Sequence, residues 1–205
     1  MLNFVVNRLP SIPPHMNERH YDNNLRIKDA LQLYFSKYHF TNGGYDLKWF
    51  RIKLGPVYLP FPNTKGRIAA VKLHDIHHVI TEYLATLKGE AEIGAWELAS
   101  GCGKYYIAWV LNAASFFYGV FFFPVAIYHA FMNGRSRKTN FYKDTVYDET
   151  LLNKTVGELR DITAPVHRGK NIAADHVVFF LSSITVYATT FISIYLLFLL
   201  FVLIF

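Results

Sequence analysis

The sequence predicts a mainly α-helical protein that ends in a transmembrane helix. Three observations carry that expectation. Apolar residues recur at helical spacing through much of 25–162. The run 177–205 contains no charged side chain and exceeds the roughly 20 residues that cross a bilayer. Hydrophobic residues make up 52% of the chain and aromatics 17%, with 18 Phe and 14 Tyr, an excess that points to a membrane or a lipid-like ligand.

The 205 residues suit one domain with a real core. The formal net charge of +6 comes from dispersed basic residues, and no nucleic-acid motif accompanies it. An anionic membrane surface is the simpler partner, and nucleic acid is not expected. A lone cysteine, Cys102, excludes an internal disulfide and a Cys-based zinc site and reads as a packing residue; a reducing compartment is the default.

Residues 1–24 read as an irregular lead-in, because Pro10, Pro13 and Pro14 interrupt any period. The apolar opening is too short for a secretory signal and too poor in Arg and Ser for a mitochondrial presequence. Residues 25–165 form the predicted domain. In 25–38, Leu25, Ile27, Ala30, Leu31, Tyr34, Phe35 and Tyr38 mark an amphipathic helix. Asn42-Gly43-Gly44 signals a turn, and extended chain should follow; Pro60 and Pro62 limit 57–64 to an edge strand. Asn63 or Thr64 can cap a helix from about 66 to 84.

Leu87-Lys88-Gly89 should break that helix, with the next one at 90–100 and Glu90 in its first turn, where the helix dipole favours a carboxylate. Residues 105–131 carry no charged side chain. Asn112, Ser115, Gly119, Pro124 and His129 suit a buried or membrane-interfacial helix broken at Pro124 as well as a spanning one. A basic turn at 133–138 precedes a polar helix, or pair of helices, in 141–162. Residues 166–176 read as a linker, and 177–205 as a transmembrane anchor.

One stretch concentrates metal-ligand chemistry. His74, Asp75 and His78 stand at i, i+1 and i+4, which gathers two imidazoles and a carboxylate onto one arc of a helix. Eleven residues later, Glu90 can return a second carboxylate from the next helix. Such donors suit zinc, iron or manganese better than calcium or magnesium. A bare HDxxH is equally a histidine pair on a solvated helix face. His77 points about 100° away from His78 and reads as a second-shell or surface residue, whereas Glu82 shares the His78 face and competes with Glu90. No nucleophile elbow or glycine-rich phosphate loop is present. The His74-Asp75 doublet alone would also fit an HD-type phosphohydrolase, but the upstream histidine that chemistry needs is represented only by His39, beside a turn. Arg135, Arg137 and Lys138 are candidate lipid-headgroup contacts.

The spacing HDIHH, eleven residues, Glu, together with FPNT, GEAEIGAWELA, AFMNGRSRKTNFY and LLNKTVGELRDI in order, resembles the Coq4 family of coenzyme Q (ubiquinone) biosynthesis proteins, in a bacterial-type form with an added C-terminal anchor. The resemblance covers roughly 25–162. It implies a helical domain on the membrane face, a divalent metal held by His74, Asp75, His78 and Glu90, and a polyprenyl-quinone precursor as lipid partner. Zinc is the first expectation, with iron or manganese as alternatives. The activity implied is that of a lyase, oxidative decarboxylation at ring C1; the alternative is a non-catalytic scaffold presenting the lipid to other quinone biosynthesis proteins, with a homo-oligomer as a further expectation. The location implied is the cytoplasmic side of a bacterial inner membrane, or the matrix side of the mitochondrial one. Because the flanking blocks would share one domain, the resemblance also implies that 105–131 is buried or interfacial and lines an apolar lipid tunnel.

Overall fold

The computed structural model describes residues 20–40, 42–54, 57–166 and 172–204. Most of the predicted lead-in lies outside the described residues. The architecture is mainly helical: α1 (Ile27–Lys37), α2 (Lys65–Thr81), α3 (Leu87–Ser100), α4 (Tyr106–Phe122), α5 (Pro124–Arg135), α6 (Glu149–Leu152), α7 (Val156–Ile162) and α8 (Ile172–Ile204). Between α1 and α2, strands β1 (Trp49–Leu54) and β2 (Val57–Pro62) form an antiparallel hairpin, with Trp49 opposite Pro62 and Leu54 opposite Val57. Both strands of this two-stranded sheet are edges among the described residues, so Pro60 and Pro62 interrupt no central ladder.

Local chemistry sets the ends of the two central helices. The Thr64 hydroxyl accepts from the Arg67 N–H at 3.2 Å and starts α2. Glu82, in the left-handed conformation at φ 62°, ends it, three residues short of the predicted limit. Thr86 caps α3 in the same way, through the Gly89 N–H at 3.2 Å. Leu87-Lys88-Gly89 is therefore the first turn of α3 and not a break. Gly89 is needed for close approach: a Cβ there would stand 1.9 Å from the Leu84 carbonyl oxygen.

Two apolar clusters flank this pair. One joins α1, α2 and α7 through Ile27, Leu31, Leu73, Ile76, Val79 and Leu159, with Tyr142 packed in. The other joins α3, α4, α5 and the start of α8 through Ala91, Ala95, Phe116, Ile127, Phe131 and Phe179. Helix α3 runs between them, with Ile93 and Trp96 wholly buried.

The charge-free middle run is two helices, not one. Pro124 opens α5, and Phe123 makes the corner. One side of α4 packs on α3 while Tyr106, Phe121 and Phe122 stay exposed. Beside α4, a cavity of about 100 Å³ is lined by Phe61, Pro62, Thr64, Arg67, Ile107 and Leu111. That is well below the roughly 300–1,000 Å³ of a small-ligand pocket.

In the basic turn Arg135 donates to Asp175 at 3.1 Å, and Arg137 donates to Asn133 Oδ1 and to the Thr163 carbonyl, so both arginines also have partners within the chain. Lys138 is exposed. The predicted linker is partly helix: α8 starts at Ile172 and carries Asp175 and His176 in its first turns, while 167–171 lie outside the described residues. From Ala173 to Ile204 this helix is long and apolar enough to cross a membrane.

Candidate metal centre

His74 and His78 lie one turn apart on α2, and α3 brings Glu90 against them. The two Nε2 atoms face each other at 3.1 Å. Glu90 lies across the pair, Oε2 at 3.4 Å from His74 Nε2 and Oε1 at 3.3 Å from His78 Nε2. The His78 side chain is fully buried, whereas that of Glu90 is 40% exposed, so the site opens to the surface on the Glu90 side.

The other ring nitrogens are engaged. His78 Nδ1 lies 2.7 Å from the Tyr83 carbonyl, which can only accept, so Nδ1 carries the hydrogen. His74 Nδ1 meets Glu97 Oε1 at 2.9 Å and donates to that carboxylate. In their neutral forms both histidines therefore turn a bare Nε2 lone pair toward a carboxylate. Three acceptors with no donor among them need a cation at their centre. A tetrahedral zinc with ligands at about 2.0–2.1 Å separates its donor atoms by roughly 3.3 Å, the spacing found here. The residues thus fit a divalent metal held by His74, His78 and Glu90. Without a metal a proton serves the same need: burial works against the charged form of His74, but the Glu97 and Glu90 carboxylates outweigh it and raise its pKa. Burial likewise disfavours ionised Glu90, and the His78 and His74 imidazoles outweigh it, holding this carboxyl below the usual range.

Asp75 does not join the group. One residue past His74 on a helix is a rotation of about 100°, and its Oδ2 accepts from the Tyr45 hydroxyl at 2.6 Å. Burial pushes this carboxyl up to about 6, against the opposing pull of His74 and of the Tyr45 hydrogen bond. Glu82 is also elsewhere: its Oε1 accepts from the Arg160 guanidinium and pairs with His20 Nδ1, while its backbone N–H caps the end of α2 on the His78 carbonyl. His77 is wholly buried and does stand behind the site, not on the surface. Its Nδ1 donates to Glu97 Oε1 at 2.6 Å and its Nε2 accepts from the Phe141 N–H at 3.3 Å, an arrangement that burial keeps neutral.

Glu97 is the residue that spacing alone missed. Fully buried, it receives both histidine Nδ1 groups on Oε1, and on Oε2 the Asn112 amide at 2.5 Å and the Tyr142 hydroxyl at 3.0 Å. Burial would protonate it, but His74 and His77 keep it ionised and below the usual carboxylate range. A carboxylate behind a ligating histidine fixes tautomer and ring orientation. The available signal was its position seven residues after Glu90, on the same face of one helix. Tyr34, one of the apolar positions of α1, stacks on His78 with centroids 5.3 Å apart.

No family model, curated protein or solved structure matches the chain.

Proposed function

We propose that this protein is a membrane-anchored, metal-dependent enzyme of ubiquinone biosynthesis that acts on the ring C1 carboxyl of a polyprenylated precursor. The observation that carries the metal reading is the facing pair of Nε2 atoms with Glu90 across them, both Nδ1 atoms being engaged elsewhere. Three protein ligands leave one tetrahedral position open, the pattern of catalytic rather than structural zinc sites. A bound divalent metal supplies Lewis-acid chemistry toward a carboxylate or oxygen. Zinc is the first choice for the donor set, with iron or manganese as alternatives.

The substrate assignment comes from the Coq4-like motif and its flanking blocks, and the apolar α4 face and α8 are consistent with a lipid. In that reaction the ring–carboxyl bond breaks, carbon dioxide leaves and the ring carbon takes a hydroxyl from water, while the two electrons released reduce an oxidant such as dioxygen, with two protons, to hydrogen peroxide. His74 and His78 hold their Nε2 atoms at the reacting edge, Glu97 keeps the His74 ring from turning, and Glu90 faces solvent where the headgroup of the lipid would enter.

Replacement of the chromosomal copy by His78→Ala tests the reading. Accumulation of the ring-carboxylated precursor with normal protein levels is expected; unchanged quinone content contradicts it. Loss of quinone together with the protein itself, rescued by a variant that folds without metal, would instead assign the scaffold role.

A further inference from the structure

The α4–α5 corner carries an apolar surface that no described residue covers. Phe121, Phe122 and Val125 are 73%, 64% and 69% exposed, and Phe123 and Pro124 complete a tip without a polar side chain. A patch of this kind on a free surface marks an interaction site.

Helix α8 shows which way the tip points. Its first turns are tied to the polar end of α5, where Arg135 donates to Asp175 and the Tyr128 hydroxyl meets His176 Nε2 at 2.6 Å. Further along, the Tyr187 hydroxyl donates to the Phe117 carbonyl at 2.9 Å, and the Phe117 ring packs on Tyr187 and Phe191. Passing from Asp175 to Tyr187, about 18 Å at 1.5 Å per residue, therefore leads from the polar end of α5 toward the corner. From Phe191 to Ile204 every α8 side chain is exposed, and all but Ser193 are aliphatic or aromatic. The corner sits where α8 leaves the domain.

We propose that the α4–α5 corner is a second membrane contact, a wedge that enters the leaflet from which α8 departs without crossing it. The inference rests on α8 being the membrane anchor. Tyr187, bonded to the Phe117 carbonyl, is the last described contact of α8 with a polar atom of the domain before the wholly exposed apolar stretch from Phe191, so it stands at the boundary, where tyrosines are favoured. The corner then lies at or just inside that boundary. His129, exposed on α5, limits the depth: it lies about 7 Å along the helix from Pro124, within the roughly 5–10 Å of interfacial insertion. The backbone at the tip suits a dry setting. The Phe123 N–H is bonded to the Gly119 carbonyl at 2.8 Å, and the next residue is a proline with no N–H to satisfy.

The test uses the full chain in vesicles of phosphatidylcholine with a minority of anionic phosphatidylglycerol. Cys102, the lone cysteine, is buried, so an environment-sensitive thiol dye can be placed in turn at Phe122→Cys, at Leu197→Cys in α8 and at Val146→Cys on an exposed loop. The expected result is blue-shifted emission and quenching by nitroxide lipids at 122 and 197, with quenching by aqueous iodide only at 146. Iodide quenching at 122 with lipid quenching at 197 overturns the wedge and leaves the anchor intact. Iodide quenching at both overturns the anchor as well, and shielding of 122 from both quenchers overturns the wedge in favour of a contact between copies.

Discussion

At the scale of single residues, the site is a chain of hydrogen atoms whose direction is fixed. The Tyr83 carbonyl can only accept and Glu97 is ionised, so in their neutral, metal-binding forms His78 and His74 both send their hydrogens away from the site and present bare nitrogens to Glu90. Substituting Glu97→Gln places an amide among four donors, two imidazoles, Asn112 and Tyr142, so at least one must go unpaired. Metal affinity should fall roughly 10–100-fold, read by competition titration on the folded fraction; unchanged affinity would show that Glu97 does not orient His74. Proton competition gives a second expectation. In the metal-free protein the carboxylates raise the His74 pKa, so the folded state holds a proton there that binding must displace. That proton stabilises the metal-free fold below the unfolded pKa of about 6.5 and is lost as pH rises through the higher folded pKa. Metal affinity should accordingly weaken about tenfold per pH unit on acidification in that window, measured by titration at several pH values. His74, His78 and Glu90 were legible because helical spacing alone places them together. Glu97 was not, since its role depends on how α3 lies against α2 and on donors from α4 and the Tyr142 segment.

At the scale of elements, the turn between α2 and α3 aims Glu90. Glu82 stops α2 in a left-handed conformation, Thr86 starts α3, and Gly89 lets that first turn close on the Leu84 carbonyl. Gly89→Ala would gain helix propensity in solution, about 1 kcal/mol. Here its Cβ meets a backbone oxygen at 1.9 Å, which cannot move as a flexible side chain would. The variant should lose both thermal stability and metal affinity, followed by circular dichroism and metal titration; a raised melting temperature would refute the packing argument. By sequence Gly89 reads as a helix breaker because glycine usually is one; its close approach to the Leu84 carbonyl depends on the path of the 82–86 turn. Thr64 was legible as a cap because its hydroxyl acts on its own backbone only three residues away. The break at Pro124 was legible too, since a missing N–H is a property of one residue.

At the scale of the whole molecule, α3 joins two functions. One face delivers Glu90 and Glu97 to α2, while its small residues Ala91 and Ala95 belong to the cluster that holds α4, α5 and the start of α8. The candidate metal site is thereby joined through α3 to the cluster that carries the apolar α4–α5 corner and the start of α8. The helical class and the long apolar α8 were readable from composition and pattern, but the splitting of the core around α3 was not, because Glu90 to Ser100 shows no strong one-sided periodicity when both faces are packed. The proposed function depends on a divalent metal held by His74, His78 and Glu90. Native mass spectrometry with elemental analysis of detergent-extracted protein tests this most directly. Wild type should carry one metal ion per chain, and His78→Ala and Glu90→Ala should carry none while keeping their helical spectra. A metal-free wild type, or folded variants that retain the ion, would contradict it.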